Sequence, residues 1–171
     1  YQTFVDLSPL INLIKTAEHP LVTEITLASI HFGYNTDKHK SPYIHLNNDV
    51  PNCDKFKNVF TQLKEIKDIE SNIKINLLIG GAGTAFSDLF NNYNIFYDLL
   101  KSTVNKLEFI DGFNLDIEEY VTLDNIIMLV NNLKKDFPLS SIANLMGILS
   151  NICHFFKSSL NAFQWCSGTL I

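Results

Sequence analysis

The sequence predicts an α/β fold, in which strands and helices alternate along the chain. Short apolar runs rich in β-branched residues recur between longer segments whose apolar residues repeat every three or four positions. Units of this kind pair their strands in parallel through right-handed crossovers, either in an open doubly wound sheet or in a closed barrel. With 171 residues, 46% of them hydrophobic, the chain can bury a substantial core, and it contains no internal repeat or linker. We therefore predict a single domain over residues 1–171.

The individual elements follow from local patterns. Strands are predicted at the short apolar runs, which are residues 2–5, 24–32, 74–79, 112–117, 141–146 and 161–166. Helices are predicted where apolar side chains recur on one helical face, over residues 54–69, 95–107 and 123–137. Pro138 ends the last of them. The first helix shows the helical spacing at Phe56, Val59, Phe60, Leu63 and Ile66.

The composition argues against two classes of partner. The net charge is −5 and all thirteen basic residues are lysines, whereas arginine dominates the recognition of bases and phosphates, so no nucleic-acid partner is predicted. No run of eighteen apolar residues is present, so no membrane span is predicted. Cys53, Cys153 and Cys166 lie far apart, without a CxxC pair or histidines at zinc spacing. Neither a disulfide framework nor a metal site is therefore predicted.

Two distinctive segments come directly after predicted strands. Residues 80–83 have the sequence Gly-Gly-Ala-Gly, and residues 116–119 have the sequence Asp-Ile-Glu-Glu. In both arrangements of a parallel sheet, ligands bind at the carboxyl ends of the strands, so the two segments predict one site. The glycines lack the GxGxxG spacing and the Gly-Lys-Ser/Thr ending of nucleotide-binding loops. Their alternative role is to let a strand end approach its neighbours or a ligand closely.

The strand predicted over residues 112–117 carries polar groups at every second position. Asn114, Asp116 and Glu118 share one face, and the apolar residues between them share the other. An ionised carboxylate is costly to bury without a partner, so acids on an interior face indicate metal binding or acid/base chemistry. Glu119, next in sequence, is predicted to be a solvated flanking charge.

Residues 111–118 resemble the DGxDxDxE motif of family 18 glycoside hydrolases, the chitinases. Asp111, Gly112, Asp116 and Glu118 match that motif, and Asn114 stands where the family has its first interior aspartate. Residues 78–81 resemble the SxGG element of the family's third strand, with leucine in place of the usual serine. Residues 1–4 and 25–33 resemble its first two strands, and the likeness extends to about residue 138.

The resemblance implies a (β/α)8 TIM-barrel fold. A complete barrel of this type needs about 250 residues, so the chain, with about six parallel strands, is expected to form an incomplete barrel and a partial catalytic domain. A missing segment or a second chain would complete the barrel. The resemblance also implies a secreted, extracellular protein, while the sequence itself leaves the localisation open.

The resemblance further implies an enzyme that hydrolyses chitin or N-acetylglucosamine oligosaccharides without a cofactor. The family uses the acetamido oxygen of its substrate as the nucleophile, so one protein acid suffices. Glu118 is then expected to be the general acid and base, and Asp116 to orient the acetamido group. Asn114 is expected to replace the relay aspartate behind Asp116, and Asp111 and Gly112 to be framework residues.

Substrate contacts are expected from Gly80, Gly81, Tyr34, Gln164 and Trp165. Tyr34 and Trp165 are the candidate sugar-stacking rings, because both lie near predicted strand ends. The histidines are not expected to take part: His31, on an apolar strand, is predicted to be a core residue, and His45 to lie at the surface or in a loop.

Two departures from the family pattern favour an alternative function. Asn114 cannot share a proton or hold a charge, and Leu78 cannot form the hydrogen bond that a serine provides. The alternative is a catalytically impaired, chitinase-like carbohydrate-binding protein, or a fragment of one.

Overall fold

The computed structural model describes residues 5–19, 21–36 and 40–146, and it is built around a five-stranded sheet that is not closed within those ranges. The strands are β1 (Glu24–Tyr34), β2 (Pro42–Leu46), β3 (Lys74–Gly80), β4 (Gly112–Ile117) and β5 (Ser141–Met146). Their order across the sheet is β2-β1-β3-β4-β5. The pairs β1–β3, β3–β4 and β4–β5 are parallel, and β2 pairs antiparallel with β1.

Helices connect the parallel strands and cover one face of the sheet. They are α1 (Ser8–Thr16), α2 (Lys57–Ile69), α3 (Ala85–Asn91), α4 (Tyr93–Leu107) and α5 (Leu123–Asp136), and a 3-10 turn (Asp54–Phe56) leads into α2. Each parallel crossover in the described residues passes through at least one helix, as parallel pairing requires. No helix in these ranges is long and apolar enough to cross a membrane.

The predicted α/β fold is confirmed, with additions. The parallel strands predicted at residues 24–32, 74–79, 112–117 and 141–146 and all three predicted helices are present. The short helices α1 and α3 and the hairpin strand β2 were not predicted. The strand predicted at 161–166 lies outside the described residues, as does the one at 2–5 except for Val5, which belongs to no strand.

The two faces of the sheet differ in chemistry. Odd-numbered residues of β3 and β4, such as Leu77 and Leu115, are fully buried against the helices. The opposite face carries the even-numbered residues, and the strand register sets Leu78 beside Asn114 and Gly80 beside Asp116. This second face corresponds to the inside of a barrel, and its polar side chains come together at the carboxyl ends of the strands.

An irregularity in β1 changes which side chains face the inside. The register against β3 shifts between Leu27 and Ile30, so that one additional residue is accommodated in β1. After the shift, Ile30 and Phe32 are buried on the helix side, which turns His31 to the inner face. The prediction that His31 is a core histidine is therefore wrong.

The same shift moves Tyr34 away from the inner face. Tyr34 follows Phe32 on the helix side, and its ring packs edge-on against the buried ring of Phe96, with 5.2 Å between the ring centroids. Tyr34 is not among the described residues that line the cavity at the carboxyl ends of the strands. The expected role of Tyr34 as a sugar-stacking ring is thus not supported by its position.

Candidate active site

A cavity of about 530 Å³ lies at the carboxyl ends of the strands, on the inner face of the sheet. It brings together both segments that the sequence analysis singled out, because β3 and β4 are neighbours and end at the same edge. The side chains and glycines that line it include His31, Tyr43, His45, Leu78, Gly80, Gly81, Asp88, Asp116 and Glu118.

Asp116 and Glu118 supply the carboxylates at the end of β4. Asp116 is half-buried near the end of the strand, and burial raises the pKa of its carboxyl group, with the nearby charge of Glu118 adding to that rise. Glu118 comes just after the strand and is exposed to the cavity. Because the two residues alternate with buried Ile117, both side chains lie on the inner face, as the sequence predicts.

Gly80 and Gly81 bring the end of β3 close to β4. Both have positive φ angles, +102° and +94°, which side-chain-bearing residues rarely adopt. A β-carbon on Gly80 would overlap the backbone oxygen of Asp116 and the ring of Phe86. The N–H of Gly81 donates to that same oxygen of Asp116 over 2.9 Å. The glycines therefore fix Asp116 against β3, and their contact with a substrate stays a prediction.

Asn114 lies below the cavity and is bound to β1. Its Nδ2 donates to Thr26 Oγ1 over 3.1 Å and to Glu24 Oε1 over 3.3 Å, so the amide hydrogens point toward β1 and not toward Asp116. Its Oδ1 is buried and has no hydrogen-bond partner among the residues that the structure describes. The neighbouring position on β3 is Leu78, which offers no donor.

Asp111 and Gly112 hold the opposite end of β4. The Asp111 carboxylate accepts hydrogen bonds from Lys67 Nζ over 2.9 Å and from the backbone N–H of Ile75 over 2.8 Å, which ties α2, β3 and β4 together. A β-carbon on Gly112 would overlap the side chains of Ser141 and Asn76. These contacts are those of framework residues.

Glu119 has a structural role that the sequence analysis missed. Its carboxylate accepts hydrogen bonds from the backbone N–H groups of Phe86 and Ser87, over 2.6 and 3.1 Å, and from the Ser87 hydroxyl. It thereby satisfies free N–H groups in the first turn of α3. The prediction of a solvated flanking charge is wrong, because Glu119 is half-buried and fully engaged.

The hairpin strand β2 adds a wall that was not predicted. Tyr43 and His45 line the cavity, while Ile44 and Leu46 are buried on the other side of the strand. His45 pairs directly across the sheet with His31. His45 was expected at the surface or in a loop, but it lies in a strand and is half-buried on the cavity wall. The signal was present in the alternation of residues 42–46, but a five-residue run beginning with proline is weak evidence for a strand.

The remaining expectations concern two substrate-contacting residues and metal binding. Gln164 and Trp165 lie outside the described residues. Within the described ranges, no group of three or more histidine, cysteine, aspartate or glutamate side chains could hold a metal ion.

No protein-family model matches the sequence, and no curated protein matches it. Among solved structures, the chain is similar to the chitinase ChiC from Aspergillus fumigatus, with 23% identity and a TM-score of 0.74 over 95% of this chain. It is also similar to a fungal endo-beta-N-acetylglucosaminidase from glycosyl hydrolase family 18, with 21% identity and a TM-score of 0.63 over 77% of this chain. The chain spans 59% and 46% of the lengths of these two proteins. It therefore has the fold of part of the (β/α)8 barrel of these enzymes.

Proposed function

We propose that this chain belongs to glycoside hydrolase family 18 and hydrolyses β-1,4 links between N-acetylglucosamine units. The observation that carries the proposal is the placement of Asp116 and Glu118 in one cavity at the carboxyl end of β4, beside Gly80 and Gly81. The similar folds of a chitinase and an endo-beta-N-acetylglucosaminidase support the same substrate class.

The first chemical step is cleavage of the glycosidic bond. The carboxyl proton of Glu118 passes to the leaving glycosidic oxygen, while the acetamido oxygen of the substrate attacks C1 of the same sugar and the C1–O bond breaks. Glu118 is exposed in the free protein. An oligosaccharide in the cavity covers this carboxyl group and brings the glycosidic oxygen within reach of it.

The second step returns the proton. Glu118, now ionised, takes a proton from water as the water oxygen attacks C1 and the oxazolinium ring opens, so the configuration at C1 is retained. Asp116 lies two residues away on the same face, and we assign it the position beside the acetamido group. Its carboxylate accepts the acetamido N–H and stabilises the positive charge of the oxazolinium ion.

The test is the Glu118→Gln variant, with release of soluble sugars from chitin and from N-acetylglucosamine oligosaccharides as the measurement. The parent is expected to release them, and the variant to lose about two or more orders of magnitude in rate. Glu108→Gln is a matched control, because it makes the same change on a side chain that is 75% exposed and does not line the cavity. Equal rates for the parent and Glu118→Gln would contradict the proposal.

A second candidate function is carbohydrate binding without hydrolysis. The observation that favours it is the position of Asn114, whose amide is held by β1 and whose Oδ1 has no partner within the described ranges, so these residues form no relay of hydrogen bonds to Asp116 from below. Oligosaccharide binding of equal strength by the parent and Glu118→Gln, with turnover by neither, would support this candidate.

Restoring an acid at residue 114 separates the two functions further. Asn114→Asp should raise the rate if only the relay is missing. The new carboxylate would lie close to Glu24, whose Oε1 is 3.3 Å from Asn114 Nδ2, so the experiment is best made together with Glu24→Gln. If the parent binds oligosaccharides without hydrolysing them and this pair of changes brings no activity, the chain is a binding protein.

A further inference from the structure

Tyr43 and His45 form a stacked pair of rings on the cavity wall. They are two residues apart on β2, with 4.0 Å between the ring centroids and an angle of 23° between the planes. Both line the cavity and are half-buried, so part of each ring is accessible. The stack is preorganised, because each ring restricts the orientation of the other before any ligand arrives.

Neighbouring residues on β1 support this stack. Gly33 pairs with Tyr43, and a β-carbon on Gly33 would overlap the Tyr43 hydroxyl and lie 2.6 Å from Cζ, so the ring crosses β1 where only glycine leaves room. His31 pairs with His45, and its Nε2 shares a hydrogen bond of 2.8 Å with Ser29 Oγ. The hairpin thus holds two aromatic rings in a fixed position above β1.

We propose that the Tyr43–His45 pair is a stacking platform for a sugar unit of the bound oligosaccharide that is distant from the cleaved bond. In a β-1,4-linked N-acetylglucosamine chain the ring substituents are equatorial, so each ring presents C–H groups on its faces, and such faces pack on aromatic rings. The inference rests on the proposed function, since it takes the oligosaccharide as the ligand. It assigns a binding role to residues that the motif does not include.

The geometry of the sheet sets the distance over which the platform acts. Two strands, β1 and β3, separate β2 from β4. Three strand spacings of about 4.8 Å separate β2 from β4 by about 14 Å along the sheet, roughly the span of three sugar units. A disaccharide bound at Asp116 does not reach the platform, whereas a tetrasaccharide does. The platform therefore contributes to affinity only for longer ligands.

The experiment measures binding of tetra-N-acetylchitotetraose and di-N-acetylchitobiose by calorimetry. Every protein in it carries Glu118→Gln so that neither ligand is cleaved, and in this experiment the parent is the protein with that change alone. We expect Tyr43→Ala and His45→Ala each to weaken tetrasaccharide binding about three- to tenfold and to leave disaccharide binding unchanged. His45→Phe keeps a ring in the stack and should bind the tetrasaccharide within about twofold of the parent. Ile44→Val is the matched control, because it loosens β2 from the buried side without altering the cavity wall.

The outcomes separate this inference from the proposed function. If the parent binds both ligands and the alanine variants bind the tetrasaccharide as tightly as the parent, the platform is overturned and the proposed substrate stands. Equal weakening for both ligands would also overturn the platform, because it indicates a general loss of structure. If the parent binds neither ligand, the proposed function and the platform fall together.

Discussion

Asn114 donates a hydrogen bond from Nδ2 to Thr26 Oγ1 over 3.1 Å, and within the described part of the chain its buried Oδ1 has no partner. An unsatisfied buried acceptor costs about 1–3 kcal/mol. The residue beside it in the sheet is Leu78, which also lines the cavity. The series of hydrogen-bonded side chains below Asp116 stops at Asn114, because the neighbouring side chain on β3 has no donor.

A hydroxyl group at residue 78 should supply that donor. Leu78→Ser and Leu78→Ala both remove a half-buried apolar side chain, so both are expected to be less stable than the parent. Serine should be the more stable of the two by about 1 kcal/mol, since its hydroxyl can donate to Asn114 Oδ1. Urea unfolding measures the difference. In an Asn114→Leu background the serine should lose its advantage, and a serine variant no more stable than alanine in the parent would show that no such bond forms.

Glu118 and Glu119 are neighbours with separate roles. Glu119 accepts three hydrogen bonds at the start of α3, whereas Glu118 is exposed in the cavity. Glu119→Gln is expected to lower the free energy of unfolding by about 2 kcal/mol, because the charged acceptor of these bonds is lost. Glu118→Gln should leave it within about 0.5 kcal/mol of the parent. Similar losses of stability for the two variants, measured by urea unfolding, would contradict this division.

The face of β4 could be predicted from the sequence because it depends only on the alternation of side chains along a strand. Asp116 and Glu118 accordingly lie together in the cavity. The orientations of His31 and Tyr34 could not be predicted, because the register shift in β1 reverses the alternation and depends on pairing with β3. The contacts of Glu119 with α3 depend in the same way on tertiary structure, since its partner Phe86 is 33 residues away.

The raised pKa of Asp116 predicts that this residue lowers stability at neutral pH. Burial, and then the charge of Glu118, disfavour the ionised form in the folded state, so the folded protein holds the proton to a higher pH than the unfolded chain does. This loss of stability is therefore absent at low pH, where Asp116 is protonated in both the folded and the unfolded state. Stability is lost as the pH rises from the unfolded pKa of about 3.9 through the raised folded pKa.

Asp116→Asn removes this titration. Relative to the parent, the variant is expected to gain stability as the pH rises from about 4 and to keep that gain at pH 7, while losing hydrolytic activity. Urea unfolding from pH 3 to pH 7 measures the gain, and sugar release from chitin measures the loss. Glu118→Gln should reproduce only the smaller part of the pH effect, since burial is the larger cause of the shift. The opposite result, in which the parent gains stability relative to the variant as the pH rises, would contradict the prediction. It would mean that the folded protein stabilises the ionised form of Asp116.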